Sequence, residues 1–198
     1  MKILIITHPR SGGKSLLEWI SLEKSYKLYH EPNLMSPEIL NEIYNNNNIV
    51  VKILIGDLTK INADFNYDKL FENFNVIISH KREDVRDIAI SLVRAKMDGV
   101  WHNTYEINDE WLETYNKDIE KEIEEIKITL FNLSRYQRND FLNTTYESVY
   151  VTKTDIEPLC SILKIKNPNW LDILDNKRKL RNGNIGMDNL TPTKRSII

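Results

Sequence analysis

Apolar and polar positions alternate between two periods along this chain, and the alternation predicts its elements. Short, nearly continuous β-branched runs mark strands at Ile3–Thr7, Ile49–Ile55 and Asn75–Ser79, with two more at Lys27–His30 and Asp140–Thr145. Such runs, lacking an in-out alternation, are expected of strands covered on both faces. Spacings of three and four predict helices at Lys14–Glu23, Pro37–Tyr44, Asp84–Met97, Asp109–Arg135 and Lys153–Leu163. Ser36 before Pro37 reads as a cap followed by a first-turn proline. In the longest helix Trp111, Tyr115, Ile119, Ile123, Ile126, Leu130 and Leu133 form one stripe. It is expected to pack on the sheet, with a dimer seam as the alternative use. Strands alternating with helices predict an α/β fold: three layers, with a central, mostly parallel sheet flanked by helices. No repeat or linker divides residues 1–198, so a single domain is expected.

One junction carries chemistry. Lys2–Ile6 is followed by Thr7-His-Pro-Arg-Ser-Gly-Gly-Lys-Ser15, and the next helix starts immediately. Adjacent glycines let a backbone turn sharply and gather N–H groups in one concavity, to which the helix adds its unpaired first-turn donors and dipole. Arg10 and Lys14 contribute two charges. A phosphate site at Arg10, Ser11, Gly12, Gly13, Lys14 and Ser15 is the expectation. In parallel sheets such sites lie at the carboxyl ends of strands.

Composition removes other classes. Net charge is −2, so no general attraction to nucleic acid or an anionic membrane is implied. The lone Cys160 cannot form an internal disulfide, and no Cys/His metal spacing occurs. The short apolar start is too brief for a signal or a span, which points to a cytoplasmic protein.

Two readings of the junction compete. A nucleoside-triphosphate P-loop requires a glycine five residues before Gly13, where His8 stands. Thr152-Lys-Thr-Asp155 is like a guanine-reading motif but sits at a predicted helix start, where capping explains it. Asp57 lacks the glycine expected after a metal-binding aspartate.

The other reading accounts for more residues. Pro9–Ser15 resembles the sulfotransferase loop, Pro-Lys/Arg-Ser-Gly-Thr-Thr, that clasps the 5′-phosphosulfate of PAPS (3′-phosphoadenosine 5′-phosphosulfate). Arg82–Ser91 is similar to the family's strand-to-helix segment, in which an Arg and a Ser bind the 3′-phosphate. Here the spacing is one residue longer, leaving Arg86 as a competitor for Arg82. Thr145-Tyr-Glu-Ser-Val149 is similar to its Tyr-Glu-Asp-Leu stretch. Arg181-Asn-Gly-Asn-Ile-Gly186 resembles its Arg-Lys-Gly-x-x-Gly loop, assigning Arg181, Asn182 and Gly183 to the nucleotide.

The resemblance implies a P-loop NTPase-like sulfotransferase fold and sulfuryl transfer from PAPS to a hydroxyl or amine on a small-molecule or carbohydrate acceptor. PAP, the 3′,5′-bisphosphate, is released and no metal is needed. Arg10 would neutralise charge on the leaving oxygen. The base is less direct. Many cytosolic members carry a His in a Lys-Thr-His pattern, but this chain reads Lys52-Ile-Leu54. Other branches use a Glu beyond the second strand, where Glu31 stands, with His30 as second choice. His102, between two helices, is a further conceivable acid or base. The alternatives are a P-loop kinase of a small metabolite or nucleotide, and a PAP-binding module without catalysis.

Overall fold

The computed structural model describes residues 1–56, 65–98, 107–136 and 138–166. Among them one sheet contains β1 (Lys2–Thr7), β2 (Lys27–His30), β3 (Ile49–Leu54), β4 (Val76–Lys81) and β5 (Leu142–Thr145). The order is β2-β3-β1-β4-β5, and every pair is parallel. Ile3 on the central strand stands opposite Val50 and Val76.

The continuous apolar runs arise because successive side chains enter different layers. Ile3, Ile5, Val50 and Ile78 meet α1 (Gly13–Lys24), and Leu159 and Leu163, from the last helix among the described residues, join this layer. Leu4, Ile6, Val51, Ile53 and Ile77 face the opposite layer, with Ile43 of α2 (Pro37–Asn45) and Phe71 of α3 (Tyr67–Glu72). The expected three-layer α/β architecture is the one observed. No helix among the described residues is long and apolar enough to cross a membrane.

Four local features differ from the sequence expectation. The helix predicted over Asp109–Arg135 is two, α5 (Asp109–Thr114) and α6 (Asn116–Tyr136), separated at Tyr115 (φ −103°, ψ 13°). The Tyr115 carbonyl accepts from Ile119 N–H at 2.9 Å, so the second helix begins where the first stops. The apolar stripe packs mainly on α4 (Val85–Asp98), with Ile119 and Ile126 against Ile88, Ala89 and Val93. Only Leu130 and Leu133 reach the sheet cluster.

Helix α3 was too short for a periodic signal, though Asn66 caps it by accepting from Lys69 N–H at 2.8 Å. Finally, β5 runs into a single π-type turn, Glu147–Val151, before α7 (Ile156–Leu163). That helix begins three residues later than predicted because Lys153 takes φ 62° and interrupts the helical path.

Candidate functional site

The chain leaves β1 toward β2 and β3, and leaves β4 toward β5. The strand order therefore reverses between β1 and β4, where a crevice opens at the carboxyl edge of the sheet. A cleft of about 710 Å³ lies there. Its walls include the loop from His8 to Ser15, His30 at the end of β2 and Glu31 after it, Lys52 on β3, Arg82, Ser91 and Tyr146.

The loop is shaped by its glycines. Gly12 has φ 85°, and a Cβ there would lie 2.8 Å from Tyr146 Cδ2 and 2.9 Å from Tyr150 Cε2. At Gly13 a Cβ would meet Thr7 Cγ2 at 2.8 Å and Lys52 Cε at 3.2 Å. Both positions exclude side chains, one by conformation and crowding, the other by crowding alone. Gly12 caps α1 with its carbonyl, which accepts from Ser15 N–H at 2.9 Å and Leu16 N–H at 3.2 Å. The first-turn donors Gly13 and Lys14 lie N-terminal to those bonds and have no partner within the helix.

Ser11 contributes backbone rather than hydroxyl: its side chain is buried, bonded to Thr7 Oγ1 and donating to His8 O at 2.9 Å. Lys14 stands at the mouth, 54% exposed and 4.0 Å from Glu18.

Arg10 adopts φ 63°, and its Nε donates to Ser91 Oγ at 2.7 Å. This bond joins the β1 loop to α4. Arg82 enters the cleft with its guanidinium over the Tyr146 ring at 4.6 Å, ion-paired with Asp87 and 4.0 Å from Glu147. Its Nε is buried and has no hydrogen-bond acceptor among the described residues. Arg86 instead turns to Glu120 on α6 at 2.9 Å. Of the two competing arginines, Arg82 is the one at the cleft.

Glu31 also lies in the left-handed region, at φ 52°. Its N–H continues the β2–β3 ladder to Lys52 O at 2.8 Å, and its carboxylate pairs with Lys52 Nζ. The Lys52 side chain is only 5% exposed. His30 Nε2 lies 3.6 Å from the same carboxylate oxygen; burial, then the Lys52 charge, lowers its pKa. Sequence reasoning missed Lys52 as a site residue. Its signal was present: one lysine inside the apolar run Ile49–Ile55. Two further histidines were also missed: His8 at the head of the loop and His80 on β4, both buried.

Asp155, in the segment like a guanine reader, takes the Ser148 hydroxyl and stands at the start of α7. The expectations placed on Arg181, Asn182, Gly183, His102 and Asp57 lie outside the described residues.

No family model and no curated protein matches the sequence. Among solved structures, mouse sulfotransferase SULT7A1 complexed with PAP is similar at a TM-score of 0.51 and 16% identity, over 93% of this chain and 67% of that one. The fold is sulfotransferase-like. Retinol dehydratase in a complex with retinol and PAP is matched at 0.44 and 13% identity, over 92% of this chain and 65% of that one. The YorR protein from Bacillus subtilis, in complex with phosphorylated GDP, is matched at 0.44 and 13%, over 84% and 99%. Sharing at these identities is at the level of backbone architecture. Within this sulfotransferase-like fold, Pro9–Ser15, Arg82, Ser91 and Tyr146 border one crevice.

Proposed function

We propose that the protein is a sulfotransferase that moves a sulfuryl group from PAPS to a hydroxyl or amine acceptor, a small molecule or carbohydrate, and releases PAP. One observation carries the reading. Segments far apart in the chain converge on a single cleft at the topological switch point, bringing together Arg10, Glu31, Arg82 and Ser91.

The residues fit a bisphosphorylated nucleotide. The N–H groups of Gly13 and Lys14 suit the 5′-phosphate end. The buried Nε of Arg82, without an acceptor among the described residues, suits a second anion such as the 3′-phosphate, together with Ser91. PAPS supplies the activated sulfuryl group. Arg10 keeps its proton at neutral pH and so acts by charge, neutralising the leaving oxygen; Ser91 holds its guanidinium in place. Glu31 accepts the proton of the attacking acceptor, and Lys52 fixes the position of its carboxylate. The scheme calls on no metal ion.

Calorimetry with PAP in metal-free buffer tests the donor assignment, with ATP and Mg²⁺ as the comparison. Uptake of PAP is expected. Stabilisation by ATP and Mg²⁺ without PAP uptake overturns the reading in favour of a kinase. Sulfur-labelled PAPS offered to an acceptor panel then tests transfer. Glu31→Gln is expected to cut turnover by about 10²–10⁴-fold while PAP affinity stays within about twofold. Undiminished turnover removes Glu31 from the mechanism. PAP uptake with no transfer to any acceptor leaves a binding module.

A further inference from the structure

Two carbonyls of the β1–α1 loop are each held by a side chain that the scheme above does not use. His80, on β4 and fully buried, places Nε2 2.9 Å from the Ser11 carbonyl oxygen and Nδ1 2.8 Å from Thr144 Oγ1. Tyr150, on the π-type turn, donates its hydroxyl to the Gly12 carbonyl at 2.7 Å. Its ring meets the imidazole edge-on, with centroids 6.0 Å apart.

A carbonyl oxygen only accepts, so the Ser11 contact requires a proton on Nε2 of His80. The neutral ring then accepts the Thr144 hydroxyl at Nδ1, and both ring nitrogens are used. In a trans peptide unit, C=O and N–H point in opposite directions. The described residues contain no cis peptide bond. A Ser11 carbonyl turned into the core onto His80 therefore turns the Gly12 N–H outward. Tyr150 does the same for the Gly13 N–H through the Gly12 carbonyl. The two glycines have no side chains with which to impose this orientation.

His8 supplies a second tie across the switch point. Its Nδ1 lies 2.8 Å from Pro9 O, and its Nε2 accepts the backbone N–H of Arg82 at 3.1 Å. Residue 8 thus holds residue 82, while residue 80 holds residue 11.

The geometry points to His80 and Tyr150 as positioning residues that aim the Gly12 and Gly13 N–H groups at a bound anion, with His8 locking Arg82 to the same loop. The inference rests on the reading that this loop holds a phosphate. Neither His80 nor Tyr150 touches the ligand; both act through the backbone.

Calorimetry with PAP on four proteins tests it: the wild type, His80→Phe, His80→Gln and Tyr150→Phe. Tyr150→Phe keeps the ring and removes one hydrogen bond, and is expected to weaken PAP binding about three- to tenfold. His80→Phe fills similar space without a donor and is expected to weaken it at least about tenfold. His80→Gln offers an amide N–H to the same carbonyl and is expected to recover affinity to within about threefold of wild type. Loss of packing alone does not distinguish Gln from Phe in that direction. Should His80→Phe fail to fold, Tyr150→Phe decides. Wild-type affinity in Tyr150→Phe, or a folded His80→Phe that binds as well as His80→Gln, overturns the proposal. If the wild type takes up inorganic pyrophosphate but not PAP, the sulfotransferase reading fails and the same comparison is read with pyrophosphate. Uptake of neither overturns both.

Discussion

The two crossovers that meet at the switch point prepare for an anion by different means. The first, from β1 into α1, uses backbone: two glycines, first-turn N–H groups, and carbonyls held by His80 and Tyr150. The second, from β4 into α4, uses a side chain: Arg82, held by Asp87, Glu147 and the face of Tyr146. Backbone donors are oriented before a ligand arrives. Arg82 carries a full charge but shares it with Asp87 until something stronger displaces that partner. Rigidity is concentrated on the first side, and adjustable charge on the second. Arg10, within the first crossover, takes φ 63°, a conformation in which a non-glycine residue persists only where its surroundings over-determine it.

The largest expected effect comes from disturbing the rigid side. Gly12→Ala forces a side chain into left-handed backbone and against two tyrosine rings. About 1–2 kcal/mol of backbone cost and about 1–3 kcal/mol of crowding are expected together. Urea unfolding should show that loss, and calorimetry a fall in PAP affinity of more than about tenfold. An alanine variant as stable as wild type would mean that neither contact constrains the loop.

The bridge between the two sides should fail in acid. Burial lowers the pKa of His80 from its ordinary 6.5 to about 4, against the weaker pull of the Ser11 carbonyl bond. The titratable groups around it are His8, itself depressed by burial, and Tyr150, whose ring packs edge-on; beyond His8 stand Arg82 and Glu147. Between those two values the unfolded chain binds a proton that the folded chain refuses, so stability rises with pH across this window and falls on acidification. Wild type should therefore lose about 3 kcal/mol more than His80→Gln on going from pH 7 to pH 4. Equal losses, measured by urea midpoints at the two pH values, would show that the ring is not held neutral.

The smallest effect belongs to the adjustable side. Asp87 is 55% exposed, and its pair with Arg82 is worth little to stability. Asp87→Asn should change stability by less than about 1 kcal/mol while raising PAP affinity about two- to fivefold, because the guanidinium no longer has that competitor. Weakened binding would mean that Asp87 orients Arg82 rather than competing for it.

Much of this fold is legible in a single sequence because its signals are local. Strands β1, β3 and β4 show themselves as β-branched runs, and Ser36 caps α2 as read, accepting from Ile39 N–H at 3.3 Å. The loop from Arg10 to Ser15 is legible for the same reason, since adjacent glycines and a helix start are neighbours in the chain. The roles within it were less so. The Ser11 hydroxyl is turned onto Thr7 and His8, which only the packing beneath the loop reveals. The break at Tyr115 and the π-type turn at Glu147–Val151 leave no periodic trace in the sequence.

Backbone conformation at Gly12, the helix that starts after it and the apolar strands on either side depend on residues a few positions apart, so the amino-acid order alone dictates them. The pairing of Glu31 with Lys52, the choice of Arg82 over Arg86 and the grip of His80 on Ser11 depend on the strand order β2-β3-β1-β4-β5. Residues 11 and 80 share no local constraint. They meet because three crossovers place β4 beside β1, and burial there leaves a polar ring no partner but the loop and the neighbouring strand.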